Sequence, residues 1–206
     1  MQSIEIMFDN LYQDIENLNY IIDAGKDFIS SINIDPDLLN CLESSKIQIN
    51  LNIGLPYSIY DAYAIGLLLD HYSKLNYINN INLGIPLSLI KEENWVKINK
   101  YLDLSSQRSR KPLRVYLPTN IQSNTMDHIS NLCEQNNVHN IIMGTYMNEQ
   151  NIEDMLIDAH FLSLSCKCNI SIYGNFCNKN KMKVGLNSQF QPIIIQPKNV
   201  FTILKD

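Results

Sequence analysis

Through residues 47–56, IQINLNIGLP, branched aliphatics and amides take turns: Ile47, Ile49, Leu51 and Ile53 on one side, Gln48, Asn50 and Asn52 on the other. A period of two puts the two sets on opposite faces of a strand, and Gly54 and Pro56 end it. Similar short runs recur at Phe28–Ile34, Asn80–Ile85, Leu113–Leu117, Ile141–Thr145 and Asn169–Tyr173. Between them the apolar period lengthens to that of a helix. Ala62, Ile65, Gly66, Leu69 and Tyr72 share one face of a helix predicted from about Ile59 to Leu75, and more helices are predicted over Lys91–Leu104, Ser123–Asn136 and Ile152–Leu164. Asp35-Pro36 reads as an N-cap followed by proline at the first position of a short helix through Leu42. An acidic helix over about Leu11–Ala24 opens the chain.

Strand starts are spaced by roughly 19 to 34 residues, the separation that parallel strands joined by crossover helices require. Six or more such units build either an open doubly wound sheet or a closed (β/α)8 barrel. The open sheet is covered by helices on both faces, so its central strands should be apolar throughout. Here they alternate, with Asn80 and Asn82, Arg114 and Tyr116, and Asn169, Ser171 and Tyr173 extending the polar rows. A barrel lined by one strand face fits that pattern, its interior turning polar toward the C-terminal strand ends. The stretch SINIDPDLL also lacks the glycines of a dinucleotide-binding turn. The expectation is an α/β, TIM-type (β/α)8 barrel: one domain over residues 1–206, opened by a helical segment in 1–25. Residues 177–206 leave room for an abbreviated end, with Lys183–Leu186 and Pro192–Ile195 as shortened strands and Asn199–Leu204 as a last helical turn or two.

Composition narrows the function classes. A net charge of -5 and only three arginines, Arg108, Arg110 and Arg114, argue against a nucleic-acid backbone as partner. Glu5 and Asp9 stand where an export signal needs a basic start, and the apolar run Ile65–Leu69 is far too short to span a bilayer. A soluble cytoplasmic protein with no membrane contact is expected. Five cysteines, an odd number, fit reduced thiols. Asn and Ile are abundant throughout, as an AT-rich coding sequence alone would produce, so a solvated strand face stands beside a polar interior as a reading of the amide rows.

The order of segments resembles one family, the class I aldolases of the deoxyribose-phosphate aldolase type. IGLPYS (53–58) falls at the family's G/N-F-P-H/L-G turn after the second strand, and NNINLGIP (79–86) at its D-E-V/I-D-x-V third strand. KPLRVYLPT (111–119) is similar to the fourth strand, L-K-V-I-x-E-T. NIIMGTYMN (140–148) lies at the fifth, D-F-x-K-T-S-T-G-K, and CNISIYGNF (168–176) at the sixth, V-G-x-K-x-x-G-G-V. The resemblance covers roughly residues 20–176. It implies a TIM-type barrel and a lysine that forms a Schiff base with a carbonyl substrate, helped by a second lysine and an acidic residue. By motif position those three fall on Met143, Ser171 and Asn82, so the resemblance comes without the charged groups of the reaction. No lysine lies between Lys111 and Lys167 to replace the missing amine. The family's phosphate-gripping lysine falls on Asn148 and its paired glycines on Gly174 and Asn175.

Other clusters carry less. His160, Cys166, Cys168 and Cys177 give H-x5-C-x-C-x8-C, which lacks the C-x2-C or H-x3-H pairs of zinc sites and reads as ordinary buried thiols, with no metal and no cofactor expected. His71, His128, His139 and His160 read as surface or helix-flank residues. Asp35 and Asp37 fit a helix start, whereas Tyr57, Tyr60 and Asp61 form a weak acid-base set after a strand. A polar interior would be lined by Asn50, Asn52, Asn82, Tyr116, Met143, Thr145, Ser171, Tyr173 and Gly174. One functional expectation is a repurposed barrel that binds a small neutral carbonyl or hydroxy compound for lyase, isomerase or cyclase chemistry. Tyr116 or Tyr173 would be its acid-base group, and Asn82 and Asn50 would polarise a carbonyl. The alternative is a non-catalytic binding or scaffold subunit that pairs with itself or with an active homologue.

Overall fold

Eight parallel strands close on themselves, each hydrogen-bonded to its neighbours in the chain and the last to the first. The computed structural model describes residues 3–8, 18–42, 47–55, 57–119, 121–144 and 151–204. In chain order the elements are β1 (Ile4–Met7), α1 (Leu18–Gly25), β2 (Ile29–Ile34), a 3-10 helix (Pro36–Cys41), β3 (Gln48–Ile53), α2 (Ala62–Tyr72), β4 (Ile78–Gly84), α3 (Leu87–Lys91), α4 (Trp95–Arg108), β5 (Leu113–Pro118), α5 (Ser123–Gln135), β6 (Asn140–Gly144), α6 (Ile152–Ser165), β7 (Asn169–Gly174), α7 (Lys179–Asn187), β8 (Ile193–Ile195) and α8 (Pro197–Leu204). This is a TIM-type (β/α)8 barrel, as the alternating strands predict.

Two departures from the sequence reading are linked. Ile4–Met7 is a strand, pairing with β2 on one side and β8 on the other. Its four residues, IEIM, are too few to establish a period by themselves. Lys183–Leu186, expected as a strand, lies inside α7. Asn178 caps that helix by accepting from the Lys181 amide at 2.9 Å, and Met182 and Gly185, three apart, form its buried face. A Cβ at Gly185 would run into the ring of Phe176, so the glycine sets how closely α7 packs there. The N-terminal strand therefore supplies the member that the C-terminal segment does not, and the strand ordinals of the family motifs rise by one. The expected abbreviation survives only as the three-residue β8.

The outward strand faces and the helices enclose the main core. Ile6, Ile32, Leu51, Ile81, Val115, Ile141, Ile172 and Ile193 are all 0% exposed and pack with helix residues such as Leu69, Ile98, Leu102 and Ile129. Burying side chains of this size contributes roughly 1.5–3 kcal/mol each. Helix starts are fixed locally. Asp61 accepts from the Ala64 amide at 2.8 Å, which begins α2 at Ala62 rather than at Ile59. No helix among the described residues is long and apolar enough to cross a membrane.

Candidate functional site in the barrel interior

Alternation turns the other strand face inward, and strand tilt sorts the inward residues into tiers of four from alternate strands. The registers place Glu5, Asn50, Arg114 and Ser171 in one tier, then Asn33, Asn82, Ile142 and Ile194, and Met7, Asn52, Tyr116 and Tyr173 toward the C-terminal strand ends. None of the twelve is more than 6% exposed. The interior is filled by side chains, and Asn50, Asn52 and Asn82 face it, not solvent, whereas Gln48 and Asn169 at the N-terminal strand ends are exposed.

Buried amides are tolerable only when bonded, and here they mostly bond one another. Asn80 donates to Asn50 Oδ1 at 2.7 Å, and Asn50 donates to Ser31 Oγ at 3.0 Å and Asn33 Oδ1 at 3.2 Å. Asn82 donates to Asn33 Oδ1 at 2.7 Å and to Asn52 Oδ1 at 2.8 Å. Asn33 in turn donates to Glu5 Oε2 at 3.0 Å and to the Ile6 carbonyl at 3.1 Å. From β5, Arg114 Nη1 reaches both oxygens of Glu5, at 3.1 and 2.9 Å. One network thus runs through β4, β3, β2 and β1 and is closed by β5. Three of its atoms or near neighbours, Asn82 Oδ1, Arg114 Nη2 and Asn140 Oδ1, have no partner among the described residues.

The interior does not simply grow more polar toward the C-terminal strand ends: Met7, Tyr116, Ile142, Tyr173 and Ile194 form one apolar cluster across the upper two tiers, beside Asn33, Asn82 and Asn52, and Leu55 packs onto it. Gly54 makes this possible. Its positive φ of 66° turns the chain after β3 back toward the barrel, a conformation that costs glycine nothing. A Cβ at Gly84 would collide with the Gly54 carbonyl oxygen, so glycine there lets the loop lie against the end of β4. Tyr116 spends its hydroxyl proton on the Gly144 carbonyl at 2.6 Å.

Of the residues expected to line the interior, Asn50, Asn52, Asn82, Tyr116, Ser171 and Tyr173 do face it. Met143 does not. It packs in the outer core with Ile141, because the inward members of β6 are Asn140, Ile142 and Gly144. The motif match places the residue one step out of phase, and one step in a strand reverses the face. Thr145 and Asn148 lie outside the described residues. Gly174 is half-buried at the end of β7, next to Met155. His71, His128, His139 and His160 are exposed, as expected, and Asp61 serves as the α2 cap.

Asn33 and Glu5 sit at the centre of the network, yet in the sequence Asn33 draws no notice and Glu5 only as an acid near the N-terminus. A signal for Glu5 exists. It is the lone charge in an apolar strand, as Arg114 is in LRVYL, and isolated charges on buried strands require each other.

Among the described residues no group of three or more His, Cys, Asp or Glu could hold a metal ion. Cys168 donates its thiol proton to the Val138 carbonyl at 3.5 Å. Its closeness to Cys166 pulls the Cys166 thiol down to about 7 and pushes Cys168 up, whereas burial pushes the fully enclosed Cys133 up. Iodoacetamide labelling followed by peptide mapping should show Cys166 alkylation rising with a midpoint near pH 7 and falling at that pH in Cys168→Ala, with Cys133 unlabelled throughout. A Cys166 midpoint at the ordinary thiol value would contradict this arrangement.

No protein-family model matches the chain, and no curated protein matches it in sequence. Solved structures do match. The chain superimposes on QR15, an aldolase, with a TM-score of 0.76 at 10% identity, over 97% of this chain and 90% of that one. For a protein described as a deoxyribose-phosphate aldolase from Coccidioides immitis the TM-score is 0.75 at 11% identity, over 99% and 84%. A mutant tryptophan synthase α-subunit from Pyrococcus furiosus follows at 0.63 and 11%, over 100% and 91%. At such identities the likeness is one of fold: the chain has the barrel scaffold found in deoxyribose-phosphate aldolases.

Proposed function

We propose that this chain is an aldolase-fold protein without Schiff-base activity, serving as a non-catalytic binding or scaffold subunit. The observation that carries the reading is the content of the interior. The amides of Asn33, Asn50, Asn52 and Asn82 are spent largely on one another, and an apolar cluster with Leu55 packed onto it fills the space beside them. A Schiff base needs an amine facing the substrate. Every described lysine is exposed or half-buried, and neither Ile142 nor Gly144, the inward residues flanking Met143, supplies one. The only buried cation among the described residues, Arg114, is held by Glu5.

A second reading keeps the interior as a site for a small neutral carbonyl or hydroxy compound. It is favoured by the spare hydrogen-bonding capacity of Asn82 Oδ1, Arg114 Nη2 and Asn140 Oδ1. One carbonyl panel tests both. Incubation with acetaldehyde, dihydroxyacetone and short aldoses, then borohydride, is expected to leave the intact mass unchanged, and thermal melts in the same compounds are expected not to move. A reduced adduct on any lysine ends the first reading. A saturable rise in Tm that Asn82→Ala abolishes, without an adduct, selects the second.

A further inference from the structure

We infer that the groove between the start of α2 and the α3–α4 segment is a binding site for an amphipathic organic anion. The inference holds whether or not the barrel interior is catalytic. The groove encloses about 670 Å³, within the range that small organic ligands occupy. Its lining combines the apolar Ile59, Tyr63, Pro86 and Leu89 with Lys97 and Lys100. Ile59 is 89% exposed and Tyr63 72%, a pairing of large apolar side chains in water that marks a surface awaiting cover. The floor is rigid: Tyr101 is 1% exposed and donates its hydroxyl proton to the Gly84 carbonyl at 2.9 Å.

Charge decides what kind of molecule fits. Lys97 and Lys100 are three apart on α4 and so share a face. Neither is in an ion pair among the described residues, where the salt bridges are Arg108–Asp70, Arg114–Glu5 and Lys167–Glu134. The acid in the lining, Asp61, spends one carboxylate oxygen on the α2 cap, accepting from the Ala64 amide at 2.8 Å, so the two lysines leave the lining with an excess of one positive charge. A chain of net charge -5 thus places two unpaired cations in one groove with the exposed apolar side chains of Ile59 and Tyr63. A molecule with an apolar body and a carboxylate, sulfonate or phosphate at one end meets both, whereas a neutral body meets only the apolar side chains.

Two fluorescent probes of the same shape separate these contributions. The anion 1-anilinonaphthalene-8-sulfonate is expected to bind the intact protein saturably at one site, and neutral N-phenyl-1-naphthylamine at least fivefold more weakly. In the double variant Lys97→Glu/Lys100→Glu the anion's affinity should fall at least fivefold with the neutral probe's unchanged. Lys183→Glu, on α7, should leave both as they were. All three lysines are exposed, so the variants should retain the wild-type circular dichroism and melting temperature. Equal affinity for the two probes, or a loss of less than fivefold in the double variant, overturns the proposal. A loss accompanied by an altered melt is resolved by Tyr63→Ala, which must weaken both probes if the groove is the site.

Discussion

Arg114→Met, made while Glu5 remains, is expected to cost about 3–5 kcal/mol of folding stability, because it strands a carboxylate inside the barrel. The Glu5 and Arg114 side chains are 8% and 4% exposed and bonded at 2.9 Å, so water cannot take over the lost partner. In a domain of this length that loss corresponds to a Tm lower by roughly 6–20 °C. The double variant Glu5→Met/Arg114→Met should recover most of it. Removing both charges also removes the desolvation cost they share, and methionine fills irregular space well. Urea unfolding of the two single variants and the double gives the coupling directly. Additive losses would mean that the two charges do not depend on each other, contrary to the geometry.

Asn33→Leu is expected to be the second most damaging change, at about 3 kcal/mol, since each polar group left unpaired costs on the order of 1 kcal/mol or more. Four bonds end on that one amide: it accepts from Asn50 and Asn82 and donates to Glu5 and to the Ile6 carbonyl. Asn80→Leu is the matched comparison. Asn80 sits half-buried at the edge of the network and makes one of its bonds, to Asn50 at 2.7 Å, so its loss should cost about 1 kcal/mol. Denaturant midpoints for the two variants should therefore differ clearly in the stated order. Equal midpoints would mean that the amides are solvated in the native state and that the network is not a unit.

The same residues show how the fold encodes itself. Isoleucine, leucine and valine on one strand face drive the helices onto the outside of the barrel, and that half of the design could be read from period alone. The opposite face is unusual in carrying amides. An amide inside a barrel can bond to its neighbours, to water or to a ligand, and nothing in a one-dimensional pattern says which. The family motifs gave the fold but misplaced Met143, because a motif fixes position only to within a residue and the inward face of β6 begins at Asn140. The Glu5–Arg114 pair joins residues 109 apart in sequence, and no local rule connects them.

What the amino-acid sequence by itself determined was the alternation of strand and helix, the division of strands such as Gln48–Ile53 and Leu113–Pro118 into one apolar and one polar face, and the lack of a lysine between Lys111 and Lys167. These are properties of composition and period, which each segment carries alone. Only the tertiary structure decided that Ile4–Met7 closes the ring, that the amides satisfy one another, and that Leu55 lies over an apolar cluster at the C-terminal strand ends. Each of those depends on register between strands far apart in the chain, and register exists only once the barrel has closed.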